Sequence, residues 1–466
     1  MKTLISTFIF IALVLWIGRI YLTNDKRFRY VEYNKKEYYL LSRNMYFTIF
    51  TVCTAPVFLS SLSLFKYGLW FGIIIWLVFI SKIRMKMESV MILYLIFFFW
   101  LCLTMTWTTA PRDGWMMLIK YSIPILFLWL GYSSLRNEKD LVVFLKVVNY
   151  AACIYCFIMG GFTQKFLFPL YIFSMGIFAT YAGFACFLIS IFIVPILLYW
   201  LTNDKKYIYC ALWMLLSPIL QSVRTGIGGM FLVFVVAIYL RYKQRSLPAL
   251  FFAGAMFLGV ILFVPGVNEK FFGENAGKVT GTDIVRGDAL SFDNIEMSGR
   301  EYMWERVKDN CYYGNEIFGG GLGTSGRFVK NYGKKNNALE MIHNDYLQII
   351  CDTGLVGITL LTIFYIAFIV KVVSNVVKRK CTVLVKLTGI MALSSMVGIG
   401  FAMYFDNVVS NSMQALVMPF IYWGFFFKAL DMEAQENEKK ELARFRKEEE
   451  IGSEDAVSVE RLKVNG

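Results

Sequence analysis

The sequence predicts an all-α polytopic membrane protein with about 12–13 transmembrane helices and one large, partly helical extracytoplasmic loop. Three observations carry this. Of the 466 residues, 58% are hydrophobic and only 17% are charged, against about 25% charged in soluble globular proteins. Mean hydropathy is positive, at +0.56. Apolar runs long enough to cross a bilayer recur along the chain, separated mostly by short polar linkers. An aromatic content of 17% also excludes a disordered chain, which lacks the large apolar side chains a core requires.

A helix needs about 20 apolar residues to cross a hydrocarbon layer of about 30 Å. Runs meeting or approaching this lie at 3–22, 45–65, 67–81, 89–107, 115–133, 141–163, 174–201, 207–221, 225–240, 248–266, 353–374, 384–405 and 412–430. Backbone inside a bilayer has to satisfy its own hydrogen bonds, so these runs are expected to be helices. The chain then divides into about ten spans in 1–266, a loop at 267–350, about three spans in 351–430 and a charged tail at 431–466. One early Lys and an apolar stretch without a small-residue cleavage site suggest a retained N-terminal helix, not a signal peptide.

The net charge of +14 raises the possibility of nucleic-acid binding, but the 47 Lys and Arg form no single basic face. They sit in short clusters such as KIRMK at 82–86, RYKQR at 241–245 and KRK at 378–380. Basic residues in short loops mark the cytoplasmic side. Alternate crossings put the linkers 23–44, 82–88, 202–206, 241–247 and 375–383 together there, with the solvated, partly helical tail. Nine cysteines lie mostly inside apolar runs. Cys153 and Cys156 form a C-x-x-C in mid-span, where packing is the simpler reading than metal binding, and no disulfide framework is implied.

The interval 267–350 breaks the pattern of short linkers and falls on the non-cytoplasmic side. Connections of this length are uncommon unless functional or disordered. Its Trp, Tyr, Ile and Leu at helical spacing predict that it folds, with Gly287, Gly299, Gly319 to Gly321, Gly323 and Gly326 marking turns. An enzyme working at the outer membrane surface needs such a domain; a passive channel rarely does.

The chain contains one histidine, His343, in ALEMIHNDYLQ near the end of this loop. Imidazole is the side chain suited to accepting a proton near neutral pH. Its neighbours Asn344 and Asp345 are expected to orient the ring by hydrogen bonding, although a lone histidine can equally be a packing residue. Arg224, in QSVRTGIGGM, stands between two apolar runs near the outer end of a helical hairpin. Arginine near lipid is costly unless it snorkels or faces a polar cavity. Both readings stay open; an anion site would be helped by Thr225, Gly226, Gly228 and Gly229. Arg300, in SGREYMWERV, opens an expected loop helix with Ser298 as N-cap and Met303, Trp304 and Val307 as its apolar face. It is either an exposed helix-start charge or, with Arg224 and His343, part of a site that holds phosphate and removes a proton. The glycine run 316–327 lacks the G-K-[ST] ending and a preceding strand, so tight turns are expected there and not a nucleotide loop. With one His, a multi-histidine metal site within one chain is impossible.

The ordered set S-V-R-T-G at 222–226, S-G-R-x-x-x-W at 298–304, G-G-G-L-G at 319–323, H-N-D-Y-L-Q at 343–348 and G-L-V-G at 354–357 resembles the O-antigen ligase and polymerase superfamily of bacterial envelope proteins. The likeness covers roughly residues 206–375; the first half matches only in its many-helix character. It implies a GT-C-like glycosyltransferase that draws glycan from a polyprenyl (undecaprenyl) diphosphate carrier without a metal or other cofactor. It also implies Arg224 and Arg300 as diphosphate-binding and catalytic residues and His343 as general base; Asn344, Asp345 and Trp304 are expected in support. The expected setting is the inner (cytoplasmic) membrane, with the site on its periplasmic or outer face. Partners would be the lipid-linked donor, a glycan or lipid A core acceptor, membrane lipids and a chain-length regulator. Polymerisation of repeat units for O-antigen or capsule is the first expectation, ligation to lipid A core the second. A lipid-linked glycan transporter is the third, disfavoured because the distinctive polar residues gather at one face and no internal repeat is seen.

Overall fold

The computed structural model describes residues 42–56, 63–80, 85–159, 181–278, 300–336, 339–378, 380–411 and 413–464, with isolated positions at 11, 12, 15, 30, 31, 38, 39 and 283. Most of the expected span 3–22, the start of 174–201, and Gly287, Ser298 and Gly299 lie outside the described residues. Apart from a two-residue ladder pairing Tyr30–Val31 (β1) with Tyr38–Tyr39 (β2), the regular structure described is helical. This is an all-α polytopic membrane protein.

Helices occupy the apolar runs in order: Arg43–Thr54 (α1), Ser63–Ile80 (α2), Ser89–Thr104 (α3), Pro111–Ser134 (α4), Glu138–Met159 (α5), Tyr181–Ile191 (α6), Ile193–Thr202 (α7), Lys206–Leu220 (α8), Arg224–Tyr242 (α9) and Leu247–Phe263 (α10). Short helices Pro265–Phe272 (α11), Arg300–Val307 (α12) and Thr324–Asn336 (α13) belong to the long loop. Asp345–Val373 (α14), Val383–Phe405 (α15), Val408–Asn411 (α16) and Met413–Val464 (α17) complete the chain, the last carrying its helix into the charged tail.

Seven helical segments among the described residues are long and apolar enough to cross a membrane, with shorter apolar helices at Gly68–Ile80, Ser89–Thr104 and Lys206–Leu220. One of the seven, Arg224–Phe263, is a hairpin. Phe231 and Phe257 stack at 4.4 Å, whereas a straight helix would hold them roughly 39 Å apart. The reversal falls at Lys243, whose φ of 54° no continuous helix allows. Outward-facing side chains such as Phe79, 84% exposed, are apolar and suit contact with lipid.

Inside, Phe368 stacks on Trp423 at 3.8 Å, and Tyr94 packs on Phe364 and Phe420 at 5.0 and 5.3 Å. Helices α4 and α17 cross where Gly131 and Gly424 oppose each other's backbone, since a side chain at either would overlap the partner helix. Helix α9 packs antiparallel on α15: a side chain at Gly228 would sit 2.7 Å from Phe401. That register brings the start of α9 level with the end of α15. At the opposite end of the bundle, Lys371 pairs with Glu88 at 2.8 Å and Lys243 donates to the Val377 carbonyl at 2.7 Å.

The run expected to open at 353 begins earlier. Asn344 caps the helix, its Oδ1 accepting from Leu347 N at 2.9 Å, and α14 breaks at Gly354 (φ 67°, ψ −171°) before continuing. Loop backbone docks into the break: Leu355 N donates to Glu316 O at 2.8 Å, and Gly320 N and Gly321 N donate to the carbonyls of Cys351 and Asp352 at 2.9 and 3.0 Å. Only glycine fits at 354, because any side chain there would overlap Ile317.

Candidate functional site

The loop has its own small core of Met303, Trp304, Val307, Cys311, Val329, Ile342, Leu347 and Cys351. Met303, Trp304 and Val307 follow the i, i+1, i+4 spacing that buries one face of α12. The Trp304 Nε1–H donates to the Ile342 carbonyl at 2.7 Å, and its ring meets Tyr404 edge-on at 5.8 Å. Trp304 thus ties the loop helix to the residue preceding His343 and to the end of α15. Burial pushes the Cys311 thiol up to about 12, so it behaves as an inert core side chain.

The glycine run makes turns and binds inward. Gly319, Gly321 and Gly323 have φ of 75°, 92° and 87°. Gly323 N and Ser325 N donate to the two carboxylate oxygens of Asp352 at 2.9 and 2.8 Å. The donors that would cradle a phosphate are taken by a protein carboxylate. The run also clamps the α3–α4 connection: Trp107 Nε1–H donates to Gly319 O at 3.2 Å, Thr108 Oγ1–H to Leu322 O at 2.8 Å, and Arg327 to Thr109 O at 3.0 Å.

His343 is one of four non-glycine residues with positive φ among the described residues, at 53°. Such backbone is uncommon and recurs at functional sites. Its Nδ1 lies 3.2 Å from Asp406 Oδ1, and the imidazole keeps 23% of its surface exposed while the Asp406 side chain is nearly buried. Asp406 Oδ1 also accepts the Asn407 N–H at 2.8 Å.

The expectation that Asn344 and Asp345 orient the ring is corrected. Asn344 is occupied as the N-cap of α14, and the buried Asp345 turns to α16, accepting from Val409 N at 3.1 Å. Neither carboxamide nor carboxylate is hydrogen-bonded to the ring among the described residues. The partner comes instead from the end of α15.

Asp406 was not singled out from the sequence. Its only signal is an acidic residue just past an apolar span, on the side the loop occupies.

Arg300 donates through Nη1 to the Phe405 carbonyl, one residue from Asp406. Burial lowers its pKa from the ordinary arginine value, and the Asp406 charge opposes that shift. It is therefore no exposed helix-start charge. Arg224 is the first residue of α9, its guanidinium carbon 5.9 Å from the Phe271 ring centroid. A cation at a helix N-terminus opposes the helix dipole, so the helix gains nothing from it there.

His343 and Arg300 thus meet on Phe405–Asp406. Arg224 stands at the same end of the bundle through the α9–α15 register, with Phe271 beside it. Among the described residues no group of three or more His, Cys, Asp or Glu is arranged to hold a metal ion.

This corner can do two things chemically: orient an imidazole against a carboxylate so that its other nitrogen accepts a proton, and present guanidinium groups to an anion. Residues 209–362 match the family described as O-antigen ligase, in agreement with the resemblance read from the motifs; Arg224, Arg300 and His343 fall within them, and Phe405 and Asp406 lie beyond them. No curated protein matches the chain.

Proposed function

On the premise that residues 209–362 form an O-antigen ligase domain, we propose that the protein polymerises oligosaccharide repeat units carried on a polyprenyl diphosphate, at the outer face of a bacterial cytoplasmic membrane. The observation that carries the reading is the His343–Asp406 pair at 3.2 Å with Arg300 on the adjoining carbonyl.

Asp406 accepts the Nδ1–H and so fixes the tautomer that leaves Nε2 with its lone pair. The acceptor hydroxyl oxygen attacks the anomeric carbon of the lipid-linked sugar, and its proton passes to Nε2. The bond from that carbon to the diphosphate oxygen breaks, and the electron pair leaves with the carrier. Direct displacement inverts the anomeric centre. The departing diphosphate needs charge stabilisation and no proton; Arg224 and Arg300 supply it in place of a divalent ion. Activation of the sugar happened earlier, so no nucleotide site is required.

The test is His343→Ala at normal membrane abundance. Transfer should fall by about 10²–10⁴, with lipid-linked donor accumulating; near-normal transfer removes the general-base role. The matched family's description favours ligation to lipid A core as the second reading. Deleting the protein and examining the glycans separates the two. Single repeats on lipid A core mean a lost polymerase; long chains stranded on the carrier mean a lost ligase.

A further inference from the structure

We propose that Ile317 and Phe318 sit inside the bilayer, covered by acyl chains of the leaflet on the loop side, although they belong to the polar connection 267–350. Both side chains are 58% exposed. Facing water, two adjacent large apolar side chains that extend an apolar surface are unfavourable; facing lipid they are not.

Depth separates the two settings. Lys371, paired with Glu88 at 2.8 Å, marks the end of α14 farthest from the loop. From there to Leu355 the helix rises about 24 Å, less than the roughly 30 Å thickness of a hydrocarbon layer. Tilt shortens the projection and only places Leu355 deeper. Where Lys371 snorkels and its backbone lies inside the layer, Leu355 still reaches no farther than the opposite edge. Leu355 N donates to Glu316 O at 2.8 Å and Val356 N to Ile317 O at 3.2 Å, so Ile317 stands level with Leu355. The turn is docked at hydrocarbon depth.

Continuity is the second observation. Ile96, Trp100 and Leu103 share one face of α3 by their i, i+4, i+7 spacing. Ile96 and Leu103 are exposed, and so is Leu355 on α14. Trp100 joins the two helices, its Nε1–H donating to Thr353 O at 3.0 Å. The Phe318 ring lies 6.1 Å from that of Trp100, and Trp107 lies 5.9 Å from it. The lipid-facing surface of α3 and α14 thus runs on to Phe318, and Trp107 stands beside it as tryptophan does at a membrane border. The polar rim begins one residue earlier, where the Glu316 carboxylate accepts the Gly314 N–H at 2.9 Å.

Irregular backbone at this depth is tolerated only where the protein itself supplies its hydrogen bonds. The carbonyls of Glu316, Ile317 and Gly319 accept from Leu355 N, Val356 N and Trp107 Nε1. The N–H groups of Gly319, Gly320 and Gly321 donate to the carbonyls of Asn315, Cys351 and Asp352 at 2.8, 2.9 and 3.0 Å. The peptide groups are paired while the two side chains are left bare, which is the pattern lipid selects.

The test uses the full-length protein in nanodiscs, with 4-fluorophenylalanine placed by amber suppression at 318 or, as the water-side control, at 302. Tyr302 is exposed on α12 with the Arg306 guanidinium over its ring at 5.2 Å, a polar surface. Fluorine relaxation is measured with a lipid carrying a nitroxide near the top of its acyl chain, and separately with a soluble gadolinium chelate. The nitroxide lipid should relax the probe at 318 several-fold more than the probe at 302, and the chelate should rank them in reverse.

A chelate effect at 318 equal to or above that at 302 puts the turn in water and overturns the assignment. A probe at 318 that responds to neither reagent is covered by protein, a second copy or another segment of this chain, and overturns it as well. No glycan transfer enters these readings, so they stand or fall apart from the proposed reaction.

Discussion

Two stretches of this protein have the makings of an anion site, and they differ in one respect. The turn at 319–325 has three left-handed glycines and a helix start, but Asp352 already fills it, both carboxylate oxygens held by its N–H groups. At the corner around 405–407, Arg300 and His343 meet one carbonyl and one carboxylate, and the imidazole keeps part of its surface open. Donors and glycines do not make a binding site by themselves. What decides is whether the protein has already supplied the partner. The first stretch therefore holds the loop together, and the second keeps an imidazole edge open to its surroundings.

The contrast can be broken in four ways, taken in falling order of expected effect. His343→Ala should leave thermal stability in detergent nearly unchanged while transfer falls by about 10²–10⁴; a protein that also melts early would make His343 a structural residue. Asp406→Asn keeps the shape but loses the charge and the fixed tautomer, so turnover should fall by about 10²-fold or more, with membrane abundance unaltered. Turnover close to wild type would show that the ring is oriented by something other than Asp406.

Asp352→Ala should behave in the opposite manner. It strands two buried N–H groups, each worth about 1–3 kcal/mol when left unpaired, and should lower the melting temperature and speed proteolysis within 315–336. The fraction that stays folded should turn over normally. A selective loss of activity at unchanged stability would move the glycine turn into the reaction. Smallest is the response of Cys311. Because its pKa is raised to about 12, the thiol stays protonated through pH 8–9 and should resist an outer-face maleimide, labelling only above that range or after unfolding. Rapid labelling at neutral pH would mean that the loop core is open.

Much of the scaffold was legible because lipid imposes a one-dimensional rule. Helices stand on every expected run from 67–81 onward, and on the start of 45–65. The loop's apolar face at Met303, Trp304 and Val307 was readable from period alone, and so were His343 and the two arginines as chemically unusual for their positions. What the sequence does not expose is pairing across the fold. Asp406 lies 63 residues from His343, and nothing local separates it from any other acid at the end of a span. Asn344 looked like the ring's neighbour because it is adjacent in the chain, yet its side chain is spent on the helix cap. The break at Gly354 was hidden for a related reason: G-L-V-G reads as the start of a span until the loop backbone that fills the gap is placed beside it.

The hydrogen bonds at that gap have a mechanical consequence. Residues 316–321 are laced to α14 on both sides of Gly354 by backbone bonds running in both directions along the chain, so this part of the cap cannot swing up as a hinged door without stripping peptide groups of their partners. The turn and α14 therefore move as one piece, and any rearrangement of the loop has to take place outside residues 316–321.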